Sequence, residues 1–326
     1  MSISILTPKF PATAAVSGYM SEIEISRWGS NFGKLVRTLE SRLSDYFDGA
    51  EVVTVSNCTA GLELVYRARM NFRDRWIALP SLTFVATCLA AYTAGREILF
   101  VDVDKDTWLS PHVSAWGVPV DGDVIDAAAA IGEQRVRKGQ TAVFSFHATK
   151  IIGAGEGGAI VTHDKAEANE YRKMSNFGID PDGISRSWGT NAKMSEYNAA
   201  VGLAALDCFD REPYLQLFDW YEKYLPANVV QQRRPRGVYP IMSVKCSVSS
   251  DLVAIELAKA GIATKKWYCL PVMHKHHLFN RGQKLPVTDD LEKHMLGLPW
   301  HLWLSERDVI EVCDKLAMAI DRVENH

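Results

Sequence analysis

The chain has no apolar run approaching the roughly 18–20 residues needed to span a bilayer, no low-complexity tract and no clear repeat. Its six cysteines, Cys58, Cys88, Cys208, Cys246, Cys269 and Cys313, are scattered and include no C-x-x-C pair. That spacing argues against a disulfide framework and against a zinc site, and it fits a reducing cytosol. Basic charge is not in excess either, the formal net charge being -3, so no nucleic-acid or anionic-membrane partner is expected. The opening MSISILTPKF lacks both a basic n-region and a long apolar h-region. No signal peptide is expected, and the protein reads as cytoplasmic. Over 326 residues, 47% of them hydrophobic, a core can form without disulfides or metal.

What is present is an alternation. Short runs at 51–56, 75–80, 97–104, 123–127, 141–147 and 158–163 read as strands, and most are nearly all apolar, as strands buried on both faces should be. Helical stretches lie between them, notably 59–70 and 84–95. Before this block, 33–47 puts Leu35, Leu39, Leu43 and Tyr46 on one helical face. After it, 193–210 reads as a long Ala- and Leu-lined helix. Residues 233–240 form a turn-rich break. Beyond them YPIMSVKC reads as a strand, 251–261 as a helix and 305–320 as a capped terminal helix. The expectation is an α/β fold. A large domain (1–210) carries a mostly parallel mixed sheet flanked by helices, and a small α+β domain comes after it (211–326).

Four local patterns carry chemistry. In Ser145-Phe146-His147-Ala148-Thr149-Lys150 a lysine follows a buried strand and precedes the Gly-rich IIGAGEGG. Partial desolvation there lowers an amine's pKa and frees it for carbonyl attack, and the glycines would let backbone pass close to a planar ligand. A lysine in a flexible loop would otherwise simply be solvated. Gly153, Gly155 and Gly158 match G-x-G-x-x-G, but a strand rather than a helix comes next, which rejects a dinucleotide site. Asp126 ends a buried strand and precedes four alanines; it suits pairing with a protonated ring nitrogen, and equally suits capping a helix from Ala127. Ser56-Asn57-Cys58-Thr59-Ala60 joins strand to helix and offers N–H groups for a phosphate, or capping alone. Phe84, at a helix start, could stack on a cofactor or pack in the core.

In this order the motifs resemble the DegT/DnrJ/EryC1/StrS family of fold-type I, PLP-dependent nucleotide-sugar aminotransferases. SNCTAGLEL resembles the family's S-G-T-A-A-L phosphate loop. LPSLTFVATCLAAYTAGREILFVDVD resembles P-x-x-T-F-x-A-T-x-N-A together with F-V-D-V-D, and VIDAAAAIG resembles E-D-A-A-Q-A-H-G. SFHATKIIGAGEGG is similar to S-F-h-x-x-K-x-x-x-x-G-E-G-G, and GTNAKMSEYNAAVGLAALD to G-x-N-y-R-M-s-e-i-x-A-A-i-G-l-x-Q-L. The resemblance spans nearly the whole chain.

It implies that Lys150 carries pyridoxal 5′-phosphate covalently and then serves as general acid and base. Asp126 would meet the pyridine nitrogen, Phe84 would stack on the ring, and Cys58, Thr59 and Ser145 would hold the phosphate. Asn191 would reach the phosphate of the other subunit, making a homodimer with shared sites. L-Glutamate would leave pyridoxamine 5′-phosphate, which then aminates a nucleotide-diphosphate keto-sugar for surface-polysaccharide or secondary-metabolite synthesis. A dTDP-4-keto-6-deoxyhexose is the first choice of acceptor and a 3-keto sugar the second; a non-catalytic PLP-binding sensor is the other class. Ala129 stands where many members have Gln, Ile131 where His is usual and Lys193 where Arg is common. The chain is also shorter than most members. His274, His276 and His277 lie in a polar stretch with no fixed helical pair or nearby carboxylate, so a solvated or substrate-facing loop is expected rather than metal ligation. Trp267-Tyr268 and Trp300-His301-Leu302-Trp303 could line a pocket or pack the C-terminal part.

Overall fold

A computed structural model describes residues 2–70, 75–268 and 271–325. Cys269 lies outside them; the other five cysteines are free thiols. Helices α1 (Thr13–Ser26) and α2 (Lys34–Tyr46) precede β1 (Glu51–Val55) and α3 (Cys58–Ala68). Then come β2 (Trp76–Pro80), α4 (Val85–Thr93), β3 (Glu97–Val101), β4 (Val124–Asp126), β5 (Thr141–Ser145) and β6 (Gly158–Thr162). Helices α5 (Lys165–Met174) and α6 (Glu196–Asp207) complete this part.

The central sheet has the order β1-β6-β5-β4. β4 pairs parallel with β5, and β6 lies antiparallel to both β5 and β1. Three strands thus run one way and β6 the other, while β2 and β3 form a separate parallel pair. The strands of the central sheet are mostly apolar because both of its faces are covered; β2 and β3 leave Trp76 and Leu99 exposed. Val52, Ala142, Phe144, Ala159 and Val161 join a core with α2 and α6, whereas Val53, Val55, Val143 and Ile160 join one with α3, α4 and α5. Successive side chains of a strand point to opposite faces, so one sheet feeds two cores. Glu196, buried in α6, ties its layer together by accepting the N–H groups of Leu35 (2.7 Å) and Val36 (3.2 Å) at the start of α2.

The C-terminal part holds α7 (Glu212–Tyr224), β7 (Val230–Gln231), β8 (Met242–Lys245), α8 (Ser250–Lys259), α9 (Pro286–His294), β9 (Met295–Leu298) and α10 (Glu306–Glu324). Its sheet, β7-β8-β9, is antiparallel. Its core also takes in Trp108 and Trp116. Ser305 and Asp308 close a capping box on α10. No helix among the described residues is long and apolar enough to cross a membrane.

Candidate active site

Because β1, β4 and β5 run in one direction, their last residues, Val55, Asp126 and Ser145, emerge at one edge of the sheet. The antiparallel β6 starts there: Gly158 is in register with both Val55 and Ser145. The carboxyl edge of an α/β sheet is where a crevice forms. Here it is a cavity of roughly 360 Å³, lined by Cys58, Thr59, Phe84, Asp126, Ser145 and Lys150. Of the expected site residues, only Asn191 is absent from the lining. It is exposed, on a segment that extends the sheet beside β1: Ser56 N–H donates to the Ala192 carbonyl at 2.7 Å, and Lys193 bridges Val55.

Asp126 is 6% exposed. Thr87 Oγ1 donates to its Oδ2 at 2.6 Å and the Ala128 N–H to its Oδ1 at 3.0 Å. Burial pushes its pKa up, against the opposing pull of those two bonds and of the Lys150 charge. Among the described residues it forms no ion pair within 4.0 Å. A buried carboxylate with donors but no paired cation suits a cationic N–H brought in by a ligand. No helix comes after it. Ala127 N–H instead continues the ladder to the Val143 carbonyl, and 127–130 turn back on themselves through Ala130 N–H to Ala127 O. The helix-capping alternative for Asp126 is thereby overturned, and the small Ala128 and Ala129 face the cavity.

Lys150 sits in the turn after β5, its N–H bonded to the His147 carbonyl at 2.8 Å. Burial holds its amine below the usual lysine range, partly offset by the nearby Asp126 carboxylate. An amine so placed is readier to attack a carbonyl than a solvated one. Asn57 caps α3 by accepting the Ala60 N–H at 2.8 Å. Cys58 and Thr59, whose N–H groups precede the first bond within that helix, line the cavity together with Ser145, a donor set suited to an anion. The Cys58 thiol points to the Val143 carbonyl at 3.5 Å, and burial pushes its pKa well up. Phe84 caps α4 and is 61% exposed, too open for a core residue, and the Tyr268 ring meets it edge-on at 6.3 Å.

The glycine-rich loop requires a different explanation from the one its sequence suggested. None of Gly153, Gly155, Gly157 and Gly158 lines the cavity. A Cβ on Gly158 would meet the Phe144 carbonyl at 2.7 Å and the Cys58 nitrogen at 2.8 Å, and Gly155 has φ +81. Gly153 and Gly158 let backbone pack on backbone, Gly157 makes room for the Met194 side chain, and Gly155 serves its left-handed turn rather than a ligand. His274 also departs from expectation. It is buried, bonded through Nδ1 to Ser81 Oγ at 2.7 Å, and its Nε2 lies 3.3 Å from Asp289. His276 and His277 stack on each other at 4.3 Å. Sequence reading missed Thr87, whose only signal is its place one turn after Phe84, and Lys265. It left Trp267 and Tyr268 undecided; all but Thr87 line the cavity.

The family model for the DegT/DnrJ/EryC1/StrS aminotransferase family matches residues 13–116 and 113–317. Protein Rv3402c of Mycobacterium tuberculosis is 28% identical, with 95% of this chain and 88% of that one covered. GDP-perosamine synthase of Caulobacter vibrioides is 28% identical, with 98% of each covered; that alignment runs to 377 positions, so the relative carries insertions this chain lacks. DesI, solved in the presence of its TDP-sugar product, superposes with TM-score 0.87 at 30% identity over 99% of this chain and 94% of DesI. With its motifs, its fold and nearly its full length matched, the chain belongs to the DegT/DnrJ/EryC1/StrS aminotransferase family and is a PLP-dependent aminotransferase of fold-type I.

Proposed function

We propose that the protein moves the amino group of L-glutamate to a nucleotide-linked keto-deoxyhexose, with a dTDP-linked 4-keto-6-deoxyhexose as the first acceptor to try. The observation that carries this reading is the joint presence of Lys150 and Asp126 in one cavity, an amine with lowered pKa and a buried carboxylate lacking a paired cation. The sugar acceptor is supported by the character of GDP-perosamine synthase and of DesI with its TDP-sugar product, both aligned end to end with this chain.

PLP, when bound, supplies an aldehyde carbon and a ring that withdraws electrons from the atoms attached to it. The chain's residues supply the rest. Lys150 would hold the cofactor's aldehyde carbon through Nζ and would serve at that atom as the general acid and base that holds and moves a proton. Asp126, itself fixed by Thr87 and Ala128, keeps a proton on the ring nitrogen. Phe84 covers one ring face. Cys58 and Thr59 at the start of α3, with Ser145, hold the phosphate. Asn191 reaches the phosphate of a second protomer, so the active unit is a homodimer. Donor and acceptor use the same cavity in turn.

Two measurements test this. Incubation with L-glutamate and a panel of nucleotide keto-sugars, read by mass spectrometry, should give an amino sugar from at least one 4-keto member; no aminated product from any member would sink the sugar reading. Lys150→Ala should abolish borohydride-trappable cofactor and transamination together. Wild-type turnover by that variant would refute the role of Lys150.

A further inference from the structure

Among the described residues the cavity lining contains no arginine. Its cations are Lys150, which holds the cofactor in the proposed reaction, and Lys265, which sequence reading did not single out. Lys265 stands on a built support. Its N–H donates to the Gly297 carbonyl at 3.2 Å and the Gly297 N–H donates back to its carbonyl at 2.8 Å, pinning its backbone to β9. Gly297 is a glycine for a reason, since a Cβ there would collide with the Trp267 indole at Cδ1. With that space left open, Trp267 lies across β9, and the Lys265 ammonium rests over its ring, 4.2 Å from the centroid. Among the described residues no carboxylate pairs with that ammonium within 4.0 Å. A cation held on an aromatic face, exposed toward a cavity and free of a carboxylate, is arranged to receive an anion.

We propose that Lys265, held by Trp267 and Gly297, is the subsite for the carboxylate of the amino donor. This rests on the aminotransferase reading of the cavity with glutamate as donor. Both substrates of that reading carry oxyanions, a carboxylate on the donor and a diphosphate on the acceptor. Proximity favours the donor. The α-carboxylate is one carbon away from the nitrogen that Lys150 must exchange, whereas most of a hexose separates a keto carbon from the diphosphate. Lys265 is near enough to Lys150 for its charge to press the Lys150 amine downward.

The test separates the half-reactions. The PLP-loaded enzyme is mixed with L-glutamate alone, and loss of visible cofactor absorbance is monitored. Lys265→Met should load PLP normally and unfold at the wild-type temperature. It should need about ten- to a hundredfold more glutamate for half-maximal bleaching, the worth of one charged hydrogen bond. Calorimetric binding of glutarate, a dicarboxylate with no amine to transfer, should weaken in parallel. Lys265→Arg should stay within a few-fold of wild type, and Trp267→Leu should shift both readings the same way by less. Half-saturation by keto-sugar in the second half-reaction should not move. Unchanged glutamate and glutarate binding in Lys265→Met would overturn the proposal. So would a loss confined to the keto-sugar, which would assign the lysine to the diphosphate. A wild-type enzyme that glutamate fails to bleach would instead sink the donor reading itself, an outcome no Lys265 variant can mimic.

Discussion

Asp126 is held where its charge is opposed. Burial raises its pKa above the ordinary 3.8, so what it contributes to folding is fully present below that value and is lost as pH rises through the raised one. Ionising the side chain therefore weakens the cofactor-free protein. Asp126→Asn keeps the shape and removes the charge. Cofactor-free Asp126→Asn should unfold at the same or a higher temperature than wild type at pH 7, and the gap should close as the pH is lowered toward 4. Transamination should fall about 100-fold or more, because the ring nitrogen loses its counter-charge. Thermal scans across this range, paired with activity, check both; a variant less stable at pH 7 than at pH 4 relative to wild type would contradict the assignment. The acid at the end of a buried strand was legible in the sequence, but the turn after it was not. Four alanines have high helix propensity, yet Ala127 and Ala130 are wholly buried and the ladder to Val143 takes the backbone instead. Tertiary packing outweighs propensity here, and no local pattern announces it.

The decisive element is β6, the strand that runs against its neighbours. Its first residue has β1 on one side and β5 on the other, and the start of α3 above it. Gly158→Ala would push its methyl group against the Phe144 carbonyl and the Cys58 nitrogen. We expect a loss of about 1–3 kcal/mol in stability from this overpacking. We also expect weaker binding of PLP than of pyridoxal relative to wild type, since the displaced backbone is the one proposed to hold the phosphate. Denaturant unfolding and cofactor titration measure the two effects, and a variant that binds PLP as tightly as wild type would refute the link. The four strands of the central sheet could be read because burial on both faces leaves them mostly apolar, and β2 and β3 because they are as apolar, although Trp76 and Leu99 stay exposed. Helices α2, α3, α4, α6, α8 and α10 could be read from an apolar face, a run of small and apolar residues or a cap. Three elements could not. In α1 only Ile23 is buried, so it has no stripe to find. α5 is too polar for an apolar search, its buried residues being Ala168, Tyr171 and Met174, although Asp164 caps it through Ala166 and Glu167. β7 has only two residues.

At the scale of the whole molecule, the site as proposed is incomplete in one protomer. Asn191 is exposed and does not line the cavity of its own protomer, and its carboxamide is oriented. Lys193 Nζ lies 2.8 Å from Oδ1 of both Asn176 and Asn191. An ammonium only donates, so both amide oxygens face it and the Asn191 NH₂ group is turned away from it, a donor with no hydrogen-bond acceptor among the described residues. Lysine in place of the family's more common arginine does this work while resting over Phe177 at 4.8 Å. Around Asn191 the segment leaves Phe177, Ile184 and Trp188 exposed, apolar groups suited to cover by a second copy. No sequence period reveals a partner; only the likeness of GTNAKMSEYNAA to a family motif suggested one. If sites are shared, a heterodimer of Lys150→Ala with Asn191→Ala regenerates one intact site, because the first chain supplies Asn191 and the second Lys150. Two separately inactive variants, exchanged at equal amounts, should recover about a quarter of wild-type activity, since half of random dimers are mixed and each has one good site. Lys193→Met in place of Asn191→Ala should complement in the same way, having lost the orientation rather than the amide. Heterodimers verified by mass that stay as inactive as their parents would rule out a site built from two chains.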